Sequence, residues 1–379
     1  MMFEDCTRWP LIRADTIRKI TGYLESGKTS MDVELLERFE GKLCRYFGVP
    51  HALATATGSA AALSAFFALG LGPGDEIIAP CYTHWATVVP ATLLGCRVVF
   101  ADLEPASLSI DVQQVAEKIN ARTKAVVVCH LYGNPADVET LRTLCDRHNL
   151  YLIEDISHAP GATVHGKKVG GFGDVAFMSF QSTKLISGGE GGALLTNHFD
   201  CYARAVEFGH PKRIYSLPVE WHTYIGVGLG HKFRLAAIPA LLASDSFDEL
   251  DESIAIRKEM FEGFRTNLSD PPGIETPTQV SSAARVYFRW DLFIDSHAAS
   301  LVKALKAQQI KIDPANFQFL PDLPHFEEDV RPAEEFPQAK RLLAQLTLLN
   351  PFTRRDERAL ADFSALFTRT LRQVRDEAQ

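Results

Sequence analysis

The chain has 379 residues, is 46% hydrophobic and 23% charged, and carries a formal net charge of -8. These are ordinary values for a globular protein with room for two domains, and the acidic balance argues against nucleic acid as the main partner. No apolar run approaches the roughly 20 residues of a membrane span, and the acidic start Met1-Met2-Phe3-Glu4-Asp5 lacks the order of a secretory signal, so a cytoplasmic protein is expected.

Apolar residues Leu35, Leu36, Phe39 and Leu43 recur at helical spacing and predict a helix over 31–46, ended by Val49-Pro50. His51–Thr55 reads as a strand. Gly58-Ser59-Ala60 then opens an alanine-rich helix, stopped by Gly70, Gly72 and Gly74. Short apolar strands follow at 76–79, 97–100, 125–128 and 150–153, alternating with helices over 84–94, 111–119 and 136–147. That alternation predicts a mainly parallel sheet covered on both faces.

Two further strands, near 174–178 and 192–196, flank Lys184. Residues 202–232 read as loop, and 233–265 as a helix that Pro239 kinks or divides. The remainder reads as a Pro-rich connection (269–280), a strand (285–294), helices near 297–307 and 355–376, and an irregular stretch (311–337). The expected division is a large domain over 1–245, with an N-terminal helical segment, and a small one over 246–379.

Seven scattered cysteines without a close CxxC pair indicate free thiols, and His130, His148 and His158 have no zinc spacing, so no metal is expected. Ligands of open parallel sheets sit beyond the carboxyl ends of the strands. Asp155 is at such an end, either capping the next helix or facing a cationic ring nitrogen. The Thr57-Gly58-Ser59-Ala60 turn is either a plain helix cap or an anion site made by free N–H groups and the Ser59 hydroxyl. Ser179 ends a strand five residues before Lys184 and is a second donor. Lys184, in a glycine-rich turn (Gly188-Gly189-Glu190-Gly191-Gly192), is either a surface charge or an amine for a carbonyl compound. His84 or Trp85 could cover a flat ring, Trp85 being read as core. His158 is either structural or placed to support the aspartate. Anion site, ring-facing carboxylate and lysine, in that order on one sheet, match the needs of pyridoxal 5'-phosphate.

The runs TGSAAAL, YLIEDISHAPGA, FQSTKLISGGEGG and GHKFR, spread from about 25 to 245, resemble the DegT/DnrJ/EryC1/StrS sugar aminotransferases. The resemblance implies an α/β fold of the aspartate-aminotransferase-like fold type I, a mostly parallel sheet, a small C-terminal α+β domain and pyridoxal 5'-phosphate as cofactor. It implies Lys184 as the Schiff-base residue, Asp155 on the ring nitrogen, and Ser59, Ala60 and Ser179 on the phosphate. His84 falls at the stacking position, where another aromatic ring is more usual, and His158 where many members have glutamine. Lys232 stands where the commoner residue is asparagine and would reach the cofactor phosphate of a neighbouring subunit in a homodimer.

The implied reaction moves an amino group from glutamine or glutamate to a ketone. Gln181, Lys232 and the glycine-rich flank are similar to the branch that aminates keto-cyclitols such as scyllo-inosose, with nucleotide-linked keto-sugars as the alternative. Dehydratases of the same group carry histidine in place of the lysine. An aldolase, a racemase or a regulatory protein that keeps the cofactor site are the remaining readings. Arg285, Arg289 and His325 are possible substrate contacts that surface salt bridges explain equally well.

Overall fold

The computed structural model describes residues 3–27, 30–268, 273–329 and 336–378. In chain order the first part contains α1 (Ala14–Glu25), α2 (Val33–Phe47), β1 (His51–Thr55), α3 (Gly58–Ala68), β2 (Glu76–Pro80), α4 (Val89–Thr92), β3 (Arg97–Ala101), α5 (Val112–Lys118), β4 (Thr123–Cys129), α6 (Val138–His148) and β5 (Tyr151–Asp155). Two short strands, β6 (Thr163–Val164) and β7 (Lys167–Lys168), precede β8 (Val175–Ser179), β9 (Gly192–Thr196) and α7 (Phe199–Gly209). The rest comprises α8 (Ala237–Asp248), α9 (Leu250–Leu268), β10 (Ile274–Glu275), β11 (Ala283–Ala284), β12 (Trp290–Ile294), α10 (Ala298–Ala307), β13 (Ile312–Pro314), α11 (Pro337–Gln345), β14 (Leu346–Leu349) and α12 (Glu357–Asp376).

The central sheet has the order β1-β9-β8-β5-β4-β2-β3. Its middle is parallel, while β9 runs antiparallel to both β8 and β1. The parallel strands are buried on both faces, which is why they read as unbroken apolar runs rather than alternating ones. Ala61, Ala62 and Ala65 of α3 are fully buried, and their small side chains let that helix lie close to β8 and β9. A second sheet, β10-β12-β14-β13, is antiparallel throughout and has its own core around Trp290, Phe264 and Phe367. Phe3 and Cys6, from the opposite end of the chain, pack into that second core. Asp102, just past β3, accepts the Gln338 and Ala339 N–H groups at 2.9 and 2.8 Å, capping α11 from the central sheet.

Several expectations need correction. The helix predicted over 233–265 is two helices divided at Glu249; Pro239 lies in the first turn of α8, where its missing N–H costs nothing. The predicted helix at 84–94 is a single 3-10 turn (Trp85–Thr87) and the short α4, separated by Val88 at φ -126°. The segment read as loop over 202–232 begins inside α7 and continues as two 3-10 turns, Pro211–Ser216 and Val219–Tyr224. Trp85 is 48% exposed rather than core. Helices α1 and α11 and strand β14 were not foreseen as separate elements. Residues 269–272 of the expected connection and 330–335 of the irregular stretch lie outside the described residues. Among the described residues, no helix is long and apolar enough to cross a membrane.

Candidate active site

A cavity of about 410 Å³ opens at the carboxyl ends of β4, β5 and β8, bounded by Cys129, Asp155 and Ser179. The start of α3 closes one side, and Phe288, Arg289, Asn316 and Phe317 from the C-terminal part close the opposite side.

Two consecutive acids on β5 show how the strand sorts its side chains, since neighbours point to opposite faces. Glu154 turns inward, where it accepts N–H groups from Gly170, Phe172 and Gly173 at 2.6–2.8 Å and faces His130 Nε2 at 3.2 Å. Those donors, His130 foremost, hold its carboxyl below the usual range against the opposing effect of burial. Asp155 turns into the cavity: Thr87 donates its hydroxyl at 2.7 Å and Ser157 its N–H at 2.9 Å. One acid is therefore consumed by the fold, and the other is oriented and presented.

Lys184 lies in the connection from β8 to β9. Its N–H donates to Gln181 O at 2.8 Å, and its carbonyl accepts from the Trp9 indole at 2.9 Å, so the backbone is fixed from both sides. The amine sits 2.7 Å from His158 Nε2 and 5.2 Å from the centre of the Phe288 ring. Burial lowers its pKa to about 8; Asp155 and Cys129 oppose that shift, and Arg289 adds to it.

His158 is buried and stacks on Phe288 with ring centres 4.1 Å apart. Burial, then the charge of Lys184, pushes its pKa well below the ordinary value. The Tyr132 N–H approaches Nδ1 at 3.4 Å, so that nitrogen accepts, and Nε2 faces the Lys184 amine. His84 Nδ1 accepts the Ala86 N–H at 3.1 Å, and burial followed by the Lys184 charge lowers its pKa too. Both imidazoles therefore face the cavity as neutral, flat rings.

The anion-binding turn is only partly as expected. The Ala60 N–H is taken by the Thr57 hydroxyl at 3.0 Å, and Ala60 does not line the cavity. The helix start leaves the Gly58 and Ser59 N–H groups without intrahelical partners, beside the Ser59 hydroxyl. Gly58 is needed there because a Cβ would come within 2.7 Å of Ser179 Cβ. Ser179 lines the same corner and accepts the Gln181 N–H at 3.2 Å. Lys232 is exposed and lies outside the cavity of its own chain.

Sequence reasoning missed Thr87, Ser157, Tyr132, Phe288, Asn316 and Phe317. Thr87 could have been found from Thr83 and His84 at helical-turn spacing. Phe317 arrives from an irregular segment and stacks 5.8 Å from His158 and 5.9 Å from Tyr132, a position no local pattern announces. Of the three possible substrate contacts, Arg289 lines the cavity, Arg285 is buried against Asp291, and His325 is exposed and bonded to Thr92 at 2.6 Å.

Residues 10–358 match the model of the DegT/DnrJ/EryC1/StrS aminotransferase family. The chain belongs to that family. It is 30% identical over 309 residues to a GDP-perosamine synthase of Vibrio cholerae, covering 80% of this chain and 83% of that protein. It is 32% identical over 319 residues to an L-glutamine:2-deoxy-scyllo-inosose aminotransferase of Streptoalloteichus tenebrarius, covering 79% and 75%. The fold superposes on DesI, solved in the presence of its TDP-sugar product, with a TM-score of 0.84 at 26% identity over 99% of this chain and 95% of that one. The fold is the aspartate-aminotransferase-like fold type I, and the chain is a pyridoxal-phosphate-dependent aminotransferase.

The site fits that cofactor on its own chemistry. It offers a carboxylate at the sheet mouth, an amine of lowered pKa, two neutral flat rings and a helix start that a glycine keeps open.

Proposed function

We propose that the protein transfers an amino group from glutamine or glutamate to the ketone of a nucleotide-linked sugar. The observation that carries the transfer chemistry is the convergence of Lys184, Asp155, His158 and Ser59 on one cavity. Support for a nucleotide-linked acceptor comes from the GDP-perosamine synthase match and from the TDP-sugar product in the DesI structure. This reverses the leaning toward a cyclitol drawn from the Lys184 flank. A keto-cyclitol remains the second reading, favoured by the 2-deoxy-scyllo-inosose aminotransferase match.

Pyridoxal phosphate, when bound, supplies an electron sink that stabilises negative charge at the substrate carbon beside the nitrogen. Lys184 Nζ would hold the cofactor through its aldehyde carbon and, as a free amine, would carry the proton from the donor carbon beside the nitrogen to that aldehyde carbon. Its lowered pKa gives it a far larger free-amine fraction near neutral pH than a solvated lysine has. Asp155, held by Thr87 and Ser157, keeps the ring nitrogen protonated. The Gly58 and Ser59 N–H groups with the Ser59 and Ser179 hydroxyls hold the phosphate. His158 orients the amine from Nε2, and His84 covers one ring face. Lys232 serves the site of a second copy, which makes a homodimer the working form; a strictly monomeric active enzyme would contradict that assignment.

The test is transfer of labelled nitrogen from glutamine or glutamate to a panel of nucleotide-linked keto-sugars and keto-cyclitols. Preferential labelling of the sugar nucleotides supports the reading. Labelling confined to cyclitols replaces it with the second.

A further inference from the structure

Three arginines gather where the second sheet meets the cavity, and they differ in what they face. Arg285 is buried and ion-paired with Asp291. Arg257, on α9, is 2% exposed and has no carboxylate partner among the described residues. Its Nη1 donates to Phe288 O at 3.3 Å, its guanidinium carbon lies 4.8 Å from the Trp9 ring centre, and its Nε is buried without a partner. Arg289 forms no ion pair among the described residues either. The charge of Asp313 acts on it, but that carboxylate pairs with Lys306 at 3.5 Å.

Burial, followed by the charge of Arg289, lowers the Arg257 pKa to about 9. Two like charges buried side by side are costly unless something compensates them.

Beside both lies a second cavity of about 520 Å³, which shares Thr183, Phe288 and Arg289 with the Lys184 cavity. Arg8, Lys311, Asn350 and Thr353 also line it, as do the acids Glu4 and Asp5. Glu4 answers Lys311 at 3.9 Å within that lining, and Asp5 pairs with Arg354 at 3.7 Å. Neither acid pairs with Arg289 or Arg257, so these two inner charges have no ion-pair partner among the described residues.

We propose that Arg289 and Arg257 form an oxyanion subsite that receives the anionic group of a substrate whose reacting carbon lies at Lys184. The proposal rests on the aminotransferase reading and specifies the substrate as an anion-bearing one. The oxyanion is either a phosphate of a sugar nucleotide or a carboxylate of the amino donor. Arg289 lines both cavities and makes the direct contact. Arg257 adds its charge from beside it and, through Phe288 O, positions the bend that carries Arg289 just before β12.

The test is calorimetric titration of the cofactor-loaded protein, whose own phosphate site is filled, with inorganic pyrophosphate and separately with succinate. Binding of pyrophosphate identifies the sugar-nucleotide source, and binding of succinate the donor source. Arg289→Gln and Arg257→Met are each expected to weaken the bound probe roughly ten- to a hundredfold. Arg289→Lys should recover part of the loss, and the visible cofactor band should be unchanged in all three. If Arg257→Met fails to fold, Arg289→Gln, on the cavity wall, decides alone. Binding of neither probe, or equal affinity in wild type and Arg289→Gln, overturns the subsite. Because no turnover is needed, an Arg289-dependent affinity in a protein that transfers no amine would overturn the aminotransferase reading and leave the subsite standing.

Discussion

The two walls of the Lys184 cavity are built on opposite principles. On the sheet side the polar groups meet partners: Asp155 with Thr87 and Ser157, His158 with Lys184 and Tyr132, and Ser179 with Gln181. On the C-terminal side Arg289, and Arg257 in the adjoining cavity, form no ion pair among the described residues, and Phe317 comes from a segment without regular structure. A reaction centre must be held in one geometry before substrate arrives, so its hydrogen bonds are made in advance. A wall that recognises a charged substrate group keeps its charge unmet until that group binds.

The largest expected effect tests the sheet side. Lys184→Ala should remove the visible cofactor band and lower amine transfer by about 10⁴-fold or more, because in the proposed reaction the same amine both bonds the cofactor and moves the proton. Substitution of Arg289 should leave the band in place. A band that survives Lys184→Ala, or disappears with Arg289, would erase the division between the two walls.

Next in size is the contrast within β5. Asp155→Asn should lower transfer by roughly 10²–10³-fold, since a neutral amide cannot keep the ring nitrogen charged, while thermal stability changes little. Glu154→Gln should do the reverse. It weakens acceptance of three backbone N–H groups and costs about 1.5–3 kcal/mol of stability, with the cofactor band intact. Thermal unfolding and half-reaction rates on the two variants separate these roles. Equal losses of activity would mean that the two acids act as one unit.

The same contrast explains what could be read from the sequence. The sheet side was legible because parallel strands are continuous apolar runs, and their ends place Asp155 and Ser179 by counting. Gly58, Gly188, Gly191 and Gly192 mark close approaches that other residues would obstruct. The C-terminal side was not legible. Phe317 and Arg289 reach the cavity through contacts more than a hundred residues apart in sequence, and helical or strand periodicity carries no record of such contacts. Even locally the pattern misled where tertiary packing prevailed. Trp85 looked like core yet faces outward, because the chain after His84 turns as a 3-10 segment and not a full helix. Pro239 looked like a kink and instead begins a helix.

The smallest effect links the two walls. Lys184 has its pKa lowered to about 8, chiefly by burial and in part by Arg289. The neutral amine is the nucleophile, so protein stripped of cofactor should capture pyridoxal phosphate faster as pH rises. From pH 7 to 8 the rate should increase about fivefold and level off above, whereas a solvated lysine would keep accelerating toward about 10.4. His158 is held neutral through this window, so no second inflection should appear near the ordinary histidine value. The visible band, followed after mixing at fixed ionic strength, gives the midpoint. Arg289→Gln removes one positive charge acting on the amine and should move that midpoint upward, as should an anion seated at Arg289 in the wild type. A midpoint that ignores both changes would mean that the arginine wall and the lysine do not sense one another, and that the charge on the C-terminal side serves recognition alone.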